Sequence, residues 1–163
     1  MAGKESEGSF KRRKNLLRHI DNVRDLTIVL GDRLIDNNEE NLGHRLIANG
    51  YCHDKSKFRG VEWEYLNDDT KEKFPDLFKV AYLHHISLNL RHPEAWSGGV
   101  HAMDRLHRAE MVCDWAARSS EFGTDLRGWI KKVACKKYDM TVQSSAYKEI
   151  KELVDILLDR AFS

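Results

Sequence analysis

Residues 11–34 read KRRKNLLRHIDNVRDLTIVLGDRL, and the spacing of the apolar side chains in this stretch decides the fold class. The apolar positions recur three or four residues apart, at Leu16, Leu17, Ile20, Val23, Leu26 and Leu30. This spacing predicts an amphipathic helix and not a strand. His19 lies beside the apolar stripe, so its side chain can point toward the interior of the protein.

The rest of the chain repeats the helical pattern. After the first helix we predict further helices near residues 38–50, 62–66, 74–86, 101–118, 125–137 and 144–161. Asn38 is a candidate cap of the second helix, and Asn49-Gly50 is its expected end. The polar run 67–70 is expected to close the third helix, and residues 91–100 to form a loop. Strand alternation and internal repeats are absent, so the sequence predicts an all-α helical bundle of six or seven helices.

Length, charge and cysteine content limit the class of protein. The 163 residues predict one domain, residues 10–163, after a short disordered N-terminus, residues 1–9. A net charge of +1 gives no strong nucleic-acid signature. No apolar run or signal core predicts membrane insertion or export, so the cytoplasm is the expected compartment. The three cysteines form no disulfide framework and no C-x-x-C metal motif, which suits a reducing cytosol.

The stretch His53-Asp54-Lys55-Ser56-Lys57 directs attention to metal chemistry. A lone His-Asp pair is weak evidence, but further imidazole and carboxylate groups surround it in the sequence. They are His19 upstream, the His84-His85 doublet downstream and the later Asp114. Imidazole nitrogens and carboxylate oxygens together suit a divalent ion that keeps open positions for water and substrate. The ordered set His…His-Asp…His-His…Asp is hard to obtain by chance.

This order resembles the HD superfamily of metal-dependent phosphohydrolases over roughly residues 15–118. The resemblance implies that His19, His53, Asp54 and Asp114 come from different helices and bind one metal ion. The sequence departs from the usual His-Asp-x-Gly-Lys pattern because Ser56 stands where glycine is common. Members with two ions add histidines between the dyad and the final aspartate. His84, His85 and His92 lie in that interval.

A narrower resemblance is carried by two runs downstream of the dyad. Residues 84–96 contain HHxxxN followed by RHPExW, and residues 110–115 read EMVCDW. Together they look like a small, functionally uncharacterised HD-like family common in bacteriophages. The resemblance implies an HD-domain-like helical fold and hydrolase chemistry. It would place the protein in the host cytoplasm if it is phage-encoded.

The final aspartate and its helix raise two alternatives. Asp114 lies among apolar residues, where an unpaired carboxylate is costly, so a positive partner is expected. Glu110 lies one helical turn earlier, on the same face. It could accept a hydrogen bond from a ligand histidine, or act as the general base on water. His44 competes with His19 as the upstream ligand, and we favour His19 because its separation from the dyad matches the family.

The residues between the dyad and Asp114 supply candidate substrate contacts. His84 and His85 point about 100° apart on a helix, so both cannot face the site fully. Asn89 shares a face with His85, which favours His85 slightly. His92 follows on the loop, where it can close over substrate. Further candidates are Lys57 and Arg91 as a phosphate clamp, and Trp96 as a wall of the site.

The motifs and the resemblance together predict a metal-dependent phosphohydrolase, either a phosphomonoesterase, a phosphodiesterase or a pyrophosphohydrolase, that acts on a nucleotide or related phosphate ester through metal-activated water. The catalytic candidates are Asp54, Lys57 and Glu110. The cofactor is expected to be one or two divalent ions, drawn from Mn, Mg, Co, Ni, Fe and Zn. One rival is a non-catalytic phage-type protein that binds a nucleotide or a host partner, and another is a diiron oxygenase. The sequence leaves the exact substrate and the assembly, including a homo-oligomer, open.

Overall fold

The computed structural model describes residues 6–159, and the first helix organises the rest. This helix, α1, spans Glu7–Asp36 and begins where the side chain of Ser6 accepts a hydrogen bond from the Ser9 amide at 3.2 Å. The helix therefore starts inside the segment predicted to be disordered, because the serine cap stabilises its first turn. The sequence prediction did not include this cap. Residues 1–5 of that segment, and residues 160–163, lie outside the described residues.

The second helix packs closely against the first. Helix α2 spans Glu40–Cys52, and Asn38 does not cap it but turns the chain in a left-handed conformation with φ of 66°. The expected end at Gly50 is also wrong, because the helix continues past this residue. A methyl group at Gly50 would overlap the side chain of Thr27 on α1. A methyl group at Gly43 would overlap the α1 backbone, so both glycines permit close helix contact.

The remaining helices follow the predicted order with one addition. They are α3 Gly60–Tyr65, α4 Asp68–Lys73, α5 Pro75–Leu88, α6 Arg105–Phe122, α7 Leu126–Trp129, α8 Cys135–Lys137 and α9 Ser145–Leu158. A π-helical turn, Ile130–Ala134, joins α7 to α8, so the described residues form eight separate helices. The unpredicted one is α4, because the side chain of Asn67 accepts a hydrogen bond from the Thr70 amide at 2.9 Å and starts a helix.

The loop predicted at residues 91–100 is partly ordered as two 3₁₀ turns. They are Pro93–Ala95 and Gly99–His101. Helix α6 begins only at Arg105, where the side chain of Asp104 accepts a hydrogen bond from the His107 amide at 2.9 Å. Another 3₁₀ turn, Lys55–Phe58, follows the dyad. The helix starts differ from prediction because side-chain caps, and not apolar spacing, set them.

The core lies between α1, α2, α6 and α9. Its fully or almost fully buried members include Leu30 and Leu34 of α1, Leu46 of α2, Val112 and Ala117 of α6, and Ile150 and Leu153 of α9. No strand occurs among residues 6–159, which confirms the all-α, single-domain prediction. Within the same residues no helix combines the length and apolar character needed to cross a membrane. The packing brings the middle of α1, the end of α2 and the middle of α6 together.

Candidate metal centre

Four side chains predicted as ligands meet at this junction of helices. His19 lies on α1, His53 and Asp54 follow α2, and Asp114 lies on α6. His19 Nε2 lies 3.1 Å from an Asp114 oxygen and 4.0 Å from Asp54 Oδ2. His53 Nε2 lies 3.6 Å from Asp54 Oδ2 and 3.9 Å from Asp114 Oδ2. Residues as far apart in the sequence as His19 and Asp114 therefore converge on one point. His19, His53 and Asp54 are buried there.

An unusual backbone conformation lets the two dyad residues face the same point. His53 ends α2, and Asp54 adopts a left-handed conformation with φ of 54° before the next 3₁₀ turn. Aspartate, asparagine and glycine tolerate this region better than most residues. The bend between α2 and the 3₁₀ turn directs the imidazole of His53 and the carboxylate of Asp54 inward together.

Carboxylates behind the two histidines fix the direction of their rings. His19 Nδ1 donates to Glu121 at 2.9 Å, and His53 Nδ1 lies 3.3 Å from Glu110 Oε1. Asn22 donates to Glu121 at 3.0 Å, which holds that carboxylate in place. In a neutral imidazole with its proton on Nδ1, the Nε2 lone pair faces the centre. This is the arrangement in which proteins present histidine to metal ions.

A divalent ion fits this donor set. His53 Nε2 is buried and has no hydrogen-bond partner, which is a costly state for a polar atom unless something else binds there. One ligand atom each from His19, His53 and Asp54 lies within 4.8 Å of the others. Two imidazole nitrogens and two carboxylates suit Mn, Fe, Co, Ni or Zn, and the oxygens also suit Mg.

Two cations of the protein pair with Asp54. Lys57 Nζ is 2.7 Å from Asp54 Oδ2, and Arg91 donates to Asp54 Oδ1. Arg91 Nε also donates to Asp114 at 3.0 Å, and its side chain is only 2% exposed. Burial raises the pKa of Asp54, but Arg91, Lys57 and His53 outweigh it and hold this pKa below its usual value. Asp54 is therefore a carboxylate at neutral pH.

The later histidines divide into one that faces the centre and one that does not. His85 Nε2 lies 3.5 Å from Asp54 Oδ1 and 3.1 Å from His92 Nε2. Burial, followed by the nearby Arg91, lowers the pKa of His92 to about 3. His84 instead donates to Glu62 at 2.7 Å, and its side chain is 48% exposed. His84 therefore does not join the four converging residues, and its role as a ligand stays a prediction that this position does not favour.

Several other predicted site residues occupy supporting or distant positions. Glu110 binds His53 and accepts from Asn49 at 3.0 Å but does not line the cavity, which favours the orienting role over the general base. Asn89 accepts from Arg91 at 2.8 Å and does not reach the cavity either. The Trp96 indole donates to a backbone oxygen and packs against the core, so it forms no wall of the site.

His44 lies outside the site altogether. It is exposed on α2, where its ring pairs with Glu40 one helical turn away at 3.7 Å. The preference for His19 over His44 as the upstream residue is therefore supported by position. The three cysteines are free, and no two of them are paired.

A cavity of about 520 Å³ opens beside the centre. The members of the predicted set that line it are His19, Asp54, Lys57, Arg91, His92 and Asp114. The sequence reading missed its aromatic side, formed by Tyr82, Trp115, Phe122, Trp129 and Tyr138, and the cations Arg118 and Lys137. It also missed Glu121 behind His19. Seven residues separate Glu121 from Asp114 on α6, and this spacing could have placed both on one helical face.

Comparisons with known proteins identify the family of the chain. A family model described as "Family of unknown function (DUF5662)" matches residues 8–156. The match covers most of the sequence, so the chain belongs to this family. No curated protein and no solved structure matches the chain.

Proposed function

We propose that this member of the DUF5662 family is a metal-dependent phosphohydrolase that acts on a nucleotide or a related phosphate ester. The observation that carries the proposal is the His53 Nε2 atom. It is buried without a hydrogen-bond partner and faces Asp54 and Asp114, while Glu110 holds the opposite ring nitrogen. The order of residues resembles that of the HD superfamily, which supports the same chemistry.

His19, His53, Asp54 and Asp114 would hold the ion. When bound, a divalent ion supplies Lewis acidity and lowers the pKa of a water molecule from about 15.7 toward 7. Burial raises the pKa of both carboxyl groups, but Arg91 and Lys57 beside Asp54, and His19, His53 and Arg91 beside Asp114, hold each pKa below its usual value, so both groups are carboxylates. Glu121 and Glu110 keep both imidazoles oriented, so the ligands need little rearrangement to bind.

Lys57 is the side chain best suited to bind a phosphoryl oxygen. It lines the cavity, is partly exposed, and uses one of its three donors on Asp54. Arg91 differs, because contacts with Asp54, Asp114 and Asn89 already hold its buried guanidinium. Its role in the proposal is to neutralise the carboxylates beside the ion and not to bind the substrate.

A single ion is the count that the charges favour. Arg91 binds Asp54 Oδ1, the oxygen that lies 3.5 Å from His85 Nε2 and that a second ion would use. A further divalent ion there would meet this buried guanidinium at short range in a region of low dielectric constant, which opposes its binding. The proposal therefore has one ion at His19 and His53, with Arg91 as the neighbouring positive charge.

The charge of the cavity supports a second candidate function. Because Lys57 lines the cavity and is partly exposed, the site could bind an anionic ligand without hydrolysing it. A protein that sequesters a nucleotide, or presents the pocket to a host partner, needs this charge but no activated water. Metal-dependent turnover separates the two candidates.

The test is elemental analysis of the purified protein together with a product screen. Nucleotides and simple phosphate esters are incubated with Mn²⁺, Mg²⁺, Co²⁺, Ni²⁺ or Fe²⁺, and phosphate and nucleotide products are measured. We expect Asp54→Asn to lose bound metal and turnover while the helical circular dichroism signal stays, since asparagine also tolerates a left-handed backbone. Asp139→Asn is the matched control, because Asp139 is exposed and also left-handed, with φ of 51°.

Lys57→Met separates substrate binding from ion binding. We expect the bound metal to remain and the transition state to be destabilised by about 1.5–3 kcal/mol, the value of one charge-assisted hydrogen bond. Full turnover in Asp54→Asn would contradict the proposal. Metal binding and nucleotide binding without any turnover across the panel would favour the sequestering protein.

A further inference from the structure

A second cavity opens on the other side of the candidate centre. It measures about 360 Å³, against about 520 Å³ for the first. Five side chains line both cavities, namely His19, Lys57, Tyr82, His92 and Arg118. The two cavities are therefore adjacent, and His19 of the candidate centre lines both of them.

The second cavity, here called the basic cavity, is rich in cations. Its lining includes Arg12, Lys57 and Arg118, and no aspartate or glutamate of the described chain lines it. Arg12 hydrogen-bonds the backbone oxygens of Glu62 and Leu66 at 3.2 and 3.1 Å. Backbone oxygens do not neutralise a guanidinium, and within residues 6–159 no carboxylate forms an ion pair with Arg12. The basic cavity therefore has positive charge that an anionic ligand could balance.

The first cavity, here called the aromatic cavity, has a different character away from Asp54. The rings of Trp115 and Tyr138 are stacked with their planes 14° apart and their centroids 5.8 Å apart. Trp129 meets Trp115 edge to face at 5.2 Å. These contacts hold the indole and phenol rings in place, so they form a rigid wall suited to a planar group. Both cavities are of a size found in small-molecule sites.

From these two sides we infer that the ligand is a nucleoside diphosphate or triphosphate that spans the centre. Its base lies in the aromatic cavity, the phosphate nearest the sugar lies at the centre, and the following phosphate lies at Arg12 in the basic cavity. This inference rests on the proposed function and names its substrate class. A nucleoside monophosphate would leave Arg12 without its anion, and pyrophosphate would leave the aromatic wall empty.

The inferred placement of the two phosphates also specifies which bond is cleaved. The oxygen of one water molecule bonds to the phosphorus nearest the sugar, and the bond from this phosphorus to the bridging oxygen breaks. The bridging oxygen leaves with the terminal phosphate or pyrophosphate on the Arg12 side. The two protons of the water pass to the products or to solvent. The products are a nucleoside monophosphate and phosphate, or pyrophosphate from a triphosphate.

The test measures binding of three probes to the metal-loaded full chain by calorimetry. The probes are a nucleoside diphosphate, the matching monophosphate and pyrophosphate, compared over the common bases. The diphosphate is expected to bind about tenfold to a hundredfold more tightly than the monophosphate, the effect of one charge-assisted contact. Arg12→Gln should remove this preference and leave monophosphate affinity unchanged. Arg13→Gln is the matched control, because Arg13 lines neither cavity.

Tyr138→Leu tests the aromatic side. It should weaken both nucleotides by about tenfold and leave pyrophosphate unchanged, since stacking acts on the base alone. Tyr51→Leu is its control, because Tyr51 is exposed and lines neither cavity. Thermal melts establish that each variant folds. The probe comparison on the unchanged protein tests the inference even if Arg12→Gln does not fold.

Hydrolysis in water labelled with ¹⁸O gives an independent readout. The label should appear in the nucleoside monophosphate and not in the released phosphate. Equal affinity of the unchanged protein for monophosphate and diphosphate overturns the inference, as does label in the released phosphate. Absence of both metal binding and metal-dependent phosphate release would instead contradict the proposed function, so the two failures are distinguishable.

Discussion

The two halves of the candidate centre contain similar side chains but differ in the charge that already lies next to Asp54. On one side, His19 and His53 direct Nε2 atoms toward Asp54 and Asp114. On the other side, His85 and His92 face each other, and the guanidinium of Arg91 fills the space near Asp54. The number of histidines alone therefore does not predict a number of ions, because a buried cation already lies in the second half.

Hydrogen bonding makes the same distinction. His53 Nε2 has no partner, whereas His85 Nε2 lies within reach of both His92 and Arg91, at 3.1 and 3.4 Å. His85 Nδ1 donates to Glu62 at 2.8 Å, so its Nε2 can accept from either neighbour. The first half needs a ligand to complete its hydrogen bonding, and the second half is already satisfied by the protein.

The largest effect is expected from Arg91→Met. In the metal-free protein this change should lower the free energy of unfolding by about 3–5 kcal/mol, because it leaves Asp54 and Asp114 short of a buried partner. Urea denaturation measures this loss. Because the space near His85 and His92 then lacks its cation, the number of bound ions should rise from one to two. A count that stays at one in calorimetry and elemental analysis would contradict the assignment of Arg91 as a substitute for an ion.

A smaller effect is expected from the carboxylates behind the histidines. Glu110→Gln and Glu121→Gln should each weaken metal binding about 10–100-fold, because neutral amides hold His53 and His19 less firmly in the required tautomer. Glu62→Gln is the matched control, since Glu62 has the same relation to His85 in the other half. Calorimetric titration measures all three. Equal losses in all three variants would show that both halves bind metal.

The smallest effect is expected from His84→Asn. His84 is half exposed and binds Glu62 away from Asp54, so metal affinity and stoichiometry should stay unchanged within about twofold. The same titration measures it. Loss of an ion on this substitution would contradict the difference between the two halves, because it would show that His84 is a metal ligand.

The sequence predicted the fold class and the four converging residues well. It did not predict the boundaries of the helices or the residues that line the cavity. Apolar spacing predicted every long helix, because burial of one face requires that period. It could not predict α4, since Asn67 looks equally like a loop residue or a helix cap. It also placed the end of α2 at Gly50, because close helix packing and chain termination both favour glycine, and only the neighbouring Thr27 distinguishes them.

The site shows the same limit. His19, His53, Asp54 and Asp114 were found because the order of chemical groups is visible in a sequence. Trp96, on the predicted loop, was the expected wall of the site, yet the cavity is lined by Trp115. Which indole borders a cavity depends on how α6 and the π-helical turn Ile130–Ala134 pack together. This tertiary packing is not visible in local sequence patterns.

The glycine contacts between α1 and α2 help to set the relative positions of His19 and His53 in the candidate centre. Gly43 lies ten residues before His53, about 15 Å along the helix, and it touches the α1 backbone near Gly31. A methyl group at Gly43 would push α1 and α2 apart at the end of α2 far from His53. The helices that carry His19 and His53 would then tilt relative to each other. A larger residue at Gly43 is therefore expected to weaken any ion binding at His19 and His53 while leaving every candidate ligand side chain unchanged.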